Sequence, residues 1–234
     1  MTTAQRRRLT TAFVATGITL GAAACSSADD FAPGGRALSY DRVRTVALDT
    51  IKNGTDTCPL GLDFAKAAST AGITGAVAPD THGGHAVSGD AGDGVAPQPW
   101  PSGVTHPPSL PEQPAVPPSA EITCAYTVGS STVEVQLLAV SKNDVAFNLM
   151  LPRLRQAGQL SVDDLTTAYN GRPGIGETRL TPGPGSAAVA RIALNGAGDL
   201  VMLVSQGSSD ADRNPALAGE PLRKATETLA RQIG

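Results

Sequence analysis

The sequence predicts an α+β fold, a single domain in which an antiparallel sheet of about five strands is covered by helices. Three observations carry this expectation. Apolar residues recur at helical spacing near both ends of the chain, they alternate at period two through 121–140 and 187–205, and tight turns join the alternating runs. Hairpins joined in this way build an antiparallel sheet, whereas parallel strands need a long crossover between them.

The elements follow in chain order. Ser39 is a good N-cap and Asp41 an acid in the first turn; Val43, Val46, Ala47 and Ile51 then form a stripe, so a helix spans Tyr40 to Lys52 and stops at Asn53-Gly54. A second helix from Leu60 to Thr70 buries Leu60, Phe64, Ala67 and Ala71. Ten of the 18 prolines fall between Pro79 and Pro118, with scattered Gly and Asp and no aliphatic periodicity. That segment is expected to be a disordered Pro/Gly-rich insertion, because it has too little apolar surface to offset the entropy of ordering. Its overlapping P-x-x-P steps at Pro108, Pro111, Pro114 and Pro117 fit a solvated loop with polyproline character.

Beyond it, Glu121–Val128 and Thr132–Val140 read as a hairpin around Gly129-Ser130-Ser131, with Ile122, Cys124, Tyr126 and Val128 on one face. A helix is expected from Asp144 to Gln156, kinked or broken at Pro152. Ser161 with Asp163 and Asp164 opens a short helix to Tyr169, closed by Asn170-Gly171. Strands follow at Glu177–Thr181, Ala187–Leu194 and Leu200–Ser205, the last two joined by Asn195-Gly196-Ala197-Gly198. Pro221 starts a final helix with Leu222, Ala225, Leu229 and Ile233 on one stripe.

Composition narrows the function classes. Aromatic residues are 3% of the 234-residue chain and the net charge is −3, which argues against nucleic acid as a partner. Four Lys stand beside 14 Arg, and Ala and Gly are abundant, a bias of high-GC bacterial genomes.

The N-terminus indicates export. Arg6, Arg7 and Arg8 precede a mildly apolar run from Leu9 to Ala24 that is short for a bilayer span and ends in small residues. Ala22-Ala23-Ala24-Cys25 resembles a bacterial lipobox, with Ala22 where Leu is usual. The expectation is a lipoprotein signal peptide at 1–24, diacylglycerol on Cys25, a flexible tether at 25–35 and the domain at 36–234, interrupted at about 79–118. Arg7-Arg8 permits twin-arginine export beside the ordinary route. Cleavage would move the net charge to −6, so membrane residence would rest on the lipid and not on attraction to anionic headgroups.

Assigning Cys25 to the lipid leaves two cysteines, Cys58 and Cys124. An oxidising compartment makes that pair a structural disulfide, since redox-active pairs want close C-x-x-C spacing.

Catalytic constellations are weak throughout. His82, His85 and His106 all lie in the insertion, so no imidazole is expected in the folded part to serve a nucleophile or a zinc ion. Asp80, His82, His85, Asp90 and Asp93 form a weak chelating pattern that needs an ordered loop; neither metal nor cofactor is expected. Gly183-Pro184-Gly185-Ser186-Ala187-Ala188 fits a loose dinucleotide fingerprint, but a strand and not a helix follows it. Pro173–Glu177 reads as a turn, Asp163 and Asp164 as a helix start, and Arg153, Arg155 and Arg172 as a solvated face or a loose anion site.

The lipobox Cys25, the first helix, Cys58-Pro59 before the second, Cys124-Ala125-Tyr126 in a strand, and the PGIGE (173–177) and GSAAVARI (185–192) segments together resemble actinobacterial cell-envelope lipoproteins of unknown function. They are also similar to the extracellular sensor domains of actinobacterial serine/threonine kinases, which share a bridged α+β layout. The resemblance covers Tyr40–Ala71 and Ser119–Gly234, and the Pro-rich insertion departs from it. It implies a non-catalytic envelope lipoprotein. Cys25, the expected Cys58–Cys124 bridge and the missing catalytic constellation point to a lipid-anchored module at the extracytoplasmic face of the cell membrane, which binds or senses an envelope protein or an apolar ligand. A carrier with an apolar sheet–helix cleft is the alternative, and a His-independent hydrolase a further one.

Overall fold

The computed structural model describes residues 38–182, 187–207 and 213–234. Cys25 and the expected signal peptide and tether lie outside them, as does the Gly183–Ser186 part of the glycine loop.

The chain forms an α+β domain around one antiparallel sheet. Its elements are α1 (Tyr40–Asn53), α2 (Phe64–Thr70), β1 (Val77–Pro79), β2 (Val87–Gly92), β3 (Gln98–Pro99), β4 (Glu112–Gln113), β5 (Ser119–Val128), β6 (Ser131–Val140), α3 (Ala146–Gly158), α4 (Val162–Asn170), β7 (Thr178–Leu180), β8 (Ala187–Ile192), β9 (Asp199–Gln206), a 3₁₀ turn (Pro215–Leu217) and α5 (Glu220–Ile233). Among the described residues the sheet has seven strands in the order β1-β5-β6-β9-β8-β7, and β2 shares the outer edge of β5 with β1.

Burial reads out which strands are covered twice. On β5 the exposure alternates strictly, with Ile122, Cys124, Tyr126 and Val128 turned inward, because helices cover one face of that strand. Every residue of β8 and β9 is buried, since helices lie on both sides there. One face packs on α1, α2 and α5 through Val43, Ala47, Phe64, Leu222, Ala225 and Leu229. The other packs on α3 through Phe147, Met150 and Leu154, with Leu165 and Ala168 of α4 partly buried against the same cluster.

Ser39 caps α1 as expected, its Oγ accepting from Arg42 N–H at 3.3 Å, and Gly54 ends it at φ +63°. The second helix starts later than Leu60. Leu60 and Gly61 both hold positive φ, and Asp63 becomes the cap, accepting from Lys66 N–H at 2.9 Å. Pro152 sits inside α3 without ending it, because Met150 and Leu154 are buried on either side of it and hold the helix to the sheet.

The largest correction concerns the segment 79–118, expected to be a disordered insertion. It contributes β2 to the main sheet and pairs β3 with β4, and the sheet consequently exceeds five strands. The reasoning from side-chain composition misses this because backbone pairing does the work. β2 pairs residue for residue with Ser119–Cys124. Its small side chains also let α1 approach closely: a Cβ on Gly89 would stand 2.5 Å from the Ala47 carbonyl oxygen. His82 and His85 therefore flank the sheet.

A buried ion pair fixes α3 to the sheet. Arg191 Nε and Nη2 donate to Asp199 Oδ1 at 3.1 and 2.9 Å, and Arg191 Nη2 also donates to Asp144 Oδ1 at 2.7 Å. Val145 cannot cap α3 with its own side chain; Ala146 N–H donates instead to Asp199 Oδ2 at 2.9 Å. One carboxylate thus serves the β8–β9 pair and the helix start together. Asp199→Ala leaves a buried guanidinium and a bare helix N-terminus, and is expected to lower stability by about 3–5 kcal/mol in urea unfolding. A loss below about 1 kcal/mol would contradict this role.

Candidate functional site

A cleft of about 420 Å³ opens between the chain leading into α2 and the outer edge of the sheet. It is built from three distant stretches, 56–65, 77–79 and Tyr126. Leaving α1, the chain is pinned at Asp56, whose Oδ1 accepts from Ala86 N–H at 3.0 Å and lies 3.1 Å from His85 Nδ1. The Ala86 amide, then His85, hold the Asp56 carboxyl below the usual carboxylate range. Cys58 is then joined by a disulfide to Cys124 on β5, with Cα atoms 5.7 Å apart. The two cysteines assigned to each other by elimination are thus brought together.

The far wall is clamped to α5. Asp63 N–H donates to Gln232 Oε1 at 2.8 Å, and Gln232 Nε2 donates back to the Asp63 carbonyl at 3.1 Å. This fixes Phe64, which is 1% exposed and stacks on Tyr126 with ring centroids 5.0 Å apart. Leu62, Phe64, Val77 and Tyr126 make the lining apolar, and the exposed Asp56 and Asp63 supply negative charge. Burial, and next the Asp63 carboxylate, push the Tyr126 phenol up to about 12, so at neutral pH it is protonated and can donate a hydrogen bond but not act as a base.

The other candidates separate. His82 Nδ1 lies 2.5 Å from Asp80 Oδ1, His85 turns to Asp56, and Asp93 accepts from Arg44 at 2.5 Å. The Asp80–Asp93 chelating pattern is thereby dispersed over three pairs, and among the described residues no group of three or more potential ligands gathers. His82, as the largest influence, holds Asp80 below the carboxylate range. Arg153 pairs with Glu121, while Arg172 lies over the Tyr169 ring at 5.3 Å. Ser161 Oγ accepts from Asp164 N–H and donates to its Oδ2, the helix-start role expected of that carboxylate. Ala187–Ile192 is a strand, as its alternation predicts, and not the helix a dinucleotide fingerprint requires.

A second, polar cleft of about 180 Å³ lies on the opposite face among Glu134, Gln136, Arg153, Gln156 and Ser205. Gln136 Oε1 is buried there, and among the described residues it has no hydrogen-bond partner. Among the described residues no helix is long and apolar enough to cross a membrane. No family model matches the chain, and no curated protein or solved structure is similar to it.

The sequence pattern puts Phe64 and Tyr126 on apolar faces without bringing them together, and nothing in it marks Asp56, Asp63 or Val77. The usable signal was Cys58 itself, since a bridge to Cys124 carries its neighbours onto β5 two residues from Tyr126.

The phenol gives a test of this geometry. Its folded-state value lies above the ordinary 10, so the neutral form is favoured by folding; that contribution is complete below pH 10 and is lost as pH rises through about 12. Stability measured by urea unfolding at pH 9 and pH 11.5 is expected to fall more steeply for the natural protein than for Tyr126→Phe. Equal falls would contradict a buried Tyr126.

Proposed function

We propose that the chain is a lipid-anchored, extracytoplasmic binding or sensing module without catalytic activity, held to the outer face of the cell membrane by acylated Cys25. The observation that carries this reading is the buried Cys58–Cys124 disulfide. Such bridges persist in oxidising compartments and are rare in the cytosol. The pairing leaves Cys25 as the one cysteine of three outside it, behind a run of small residues with the lipobox pattern. A diacyl group supplies the two chains that stable anchoring needs.

Binding is favoured over chemistry by the character of the cleft. Its polar side chains are a protonated phenol, the Thr57 hydroxyl and two carboxylates, one of which caps a helix and the other a backbone amide. The partner is an envelope protein. The apolar lining of the same cleft favours a second reading, a carrier of an apolar envelope ligand.

Cys25→Ser is expected to move most of the protein from the membrane to the soluble fraction of lysed cells, without change in its unfolding midpoint. An unchanged membrane fraction would overturn the anchor. For the carrier reading, native mass spectrometry of detergent-free protein is expected to show retained lipid, and a bare polypeptide mass would remove it.

A further inference from the structure

The cleft continues into an open strand edge. In the sheet order β1 stands at the end, and Ala78 and Pro79 are exposed. Asp80 N–H donates to the Ala125 carbonyl at 2.9 Å, and Gly129 N–H donates to the Ala76 carbonyl at 3.2 Å. Residues 76 and 80 therefore turn their backbone groups toward β5, and by the two-residue alternation of a strand so does Ala78. Val77 and Pro79 turn theirs outward. Among the described residues nothing pairs with the outer side of β1, which offers Val77 N–H, the Val77 carbonyl and the Pro79 carbonyl.

The side chains of Val77 and Pro79 stand opposite Val128 and Tyr126, on the face of the sheet where the cleft lies. A strand laid alongside β1 would project alternate side chains over the Tyr126–Phe64 floor. Charge selects the occupant further. Among the described residues no Lys or Arg lines the cleft, and none occurs in the sequence between Lys66 and Lys142. Asp56 and Asp63 add two carboxylates beside the cleft.

We propose that the β1 edge and the adjoining cleft bind an extended peptide segment of a partner protein, with an aliphatic side chain over Tyr126 and Lys or Arg beside Asp56 and Asp63. The backbone edge supplies register and the cleft supplies selectivity. This names the occupant of the binding module proposed above and rests on that reading. Its test does not involve Cys25, whose substitution leaves peptide affinity unchanged, so either reading can fail without the other.

The experiment selects short random peptides displayed on phage against the full chain in detergent micelles, then measures enriched peptides in solution by fluorescence anisotropy. Enriched sequences are expected to alternate apolar residues and to carry Lys or Arg at the flanks. The double variant Asp56→Asn/Asp63→Asn keeps the oxygens that accept from Ala86 and Lys66 while removing both charges, and is expected to weaken binding about tenfold. N-methylation of the peptide at alternate amides, which leaves the protein untouched, is expected to abolish binding in one register and spare it in the other. Absence of enrichment, or binders indifferent to both changes, would overturn the proposal. Retained lipid that blocks the cleft while no peptide displaces it would also overturn it, and would give the cleft to the carrier reading.

Discussion

The Cys58–Cys124 bridge is the constraint on which the functional end of the molecule depends. Between Gly54 and Asp63 the chain has no regular structure, and it passes through two consecutive residues of positive φ, Leu60 and Gly61. The Thr55 carbonyl, accepting from Val87 N–H at 3.1 Å, and Asp56, accepting from Ala86 N–H, hold only its start. The bridge ties it to β5 across 66 positions of sequence, and closing a loop of that size contributes on the order of 4 kcal/mol through the unfolded state. Phe64 then reaches Tyr126, and Asp63 meets both α2 and Gln232 of α5. The cleft is the space left between this pinned stretch and the short β1.

The sheet shows how unequal cover divides structure from surface. Beneath α3 the strands are buried on both faces, and the Arg191–Asp199 pair is the polar fixture of that half. Toward β5 the face that bears α3 is only partly covered, and Glu121, paired with Arg153 of α3, stands there with Glu134, Thr123 and Gln136. The chain enters the described domain at Leu38, whose carbonyl accepts from Asn195 N–H at 2.7 Å beside the β8–β9 turn. The cleft lies past the opposite end of α1, a helix of 14 residues and therefore about 21 Å long. In the proposed anchored arrangement the tether enters at one end of the sheet and the docking edge stands at the other.

Much of this was legible in the sequence where side chains carry the signal. The β5–β6 hairpin was readable because one covered face imposes alternation on Ile122 to Val128, and α1 because Ser39 and Asn53-Gly54 mark both ends. The Cys58–Cys124 pairing followed from assigning Cys25 elsewhere. What escaped was carried by backbone: β1 and β2 are short, rich in Gly, Ala and Pro, and exist because the edge of β5 needs partners. Of the kink or break expected at Pro152 the break does not occur, since a missing helix hydrogen bond weighs less than the burial of Met150 and Leu154. The cleft was out of reach because Asp56, Val77 and Tyr126 converge only when β1 is in the sheet.

The most direct measurement is peptide mapping, without reduction, of the protein taken from its native cell envelope. Trypsin has no site between Lys66 and Lys142, so Cys58 falls in the peptide Asn53–Lys66 and Cys124 in Ala67–Lys142. The account predicts these two peptides as one disulfide-linked species that separates on reduction. Recovery of both as separate peptides, each labelled as a free thiol, would contradict it.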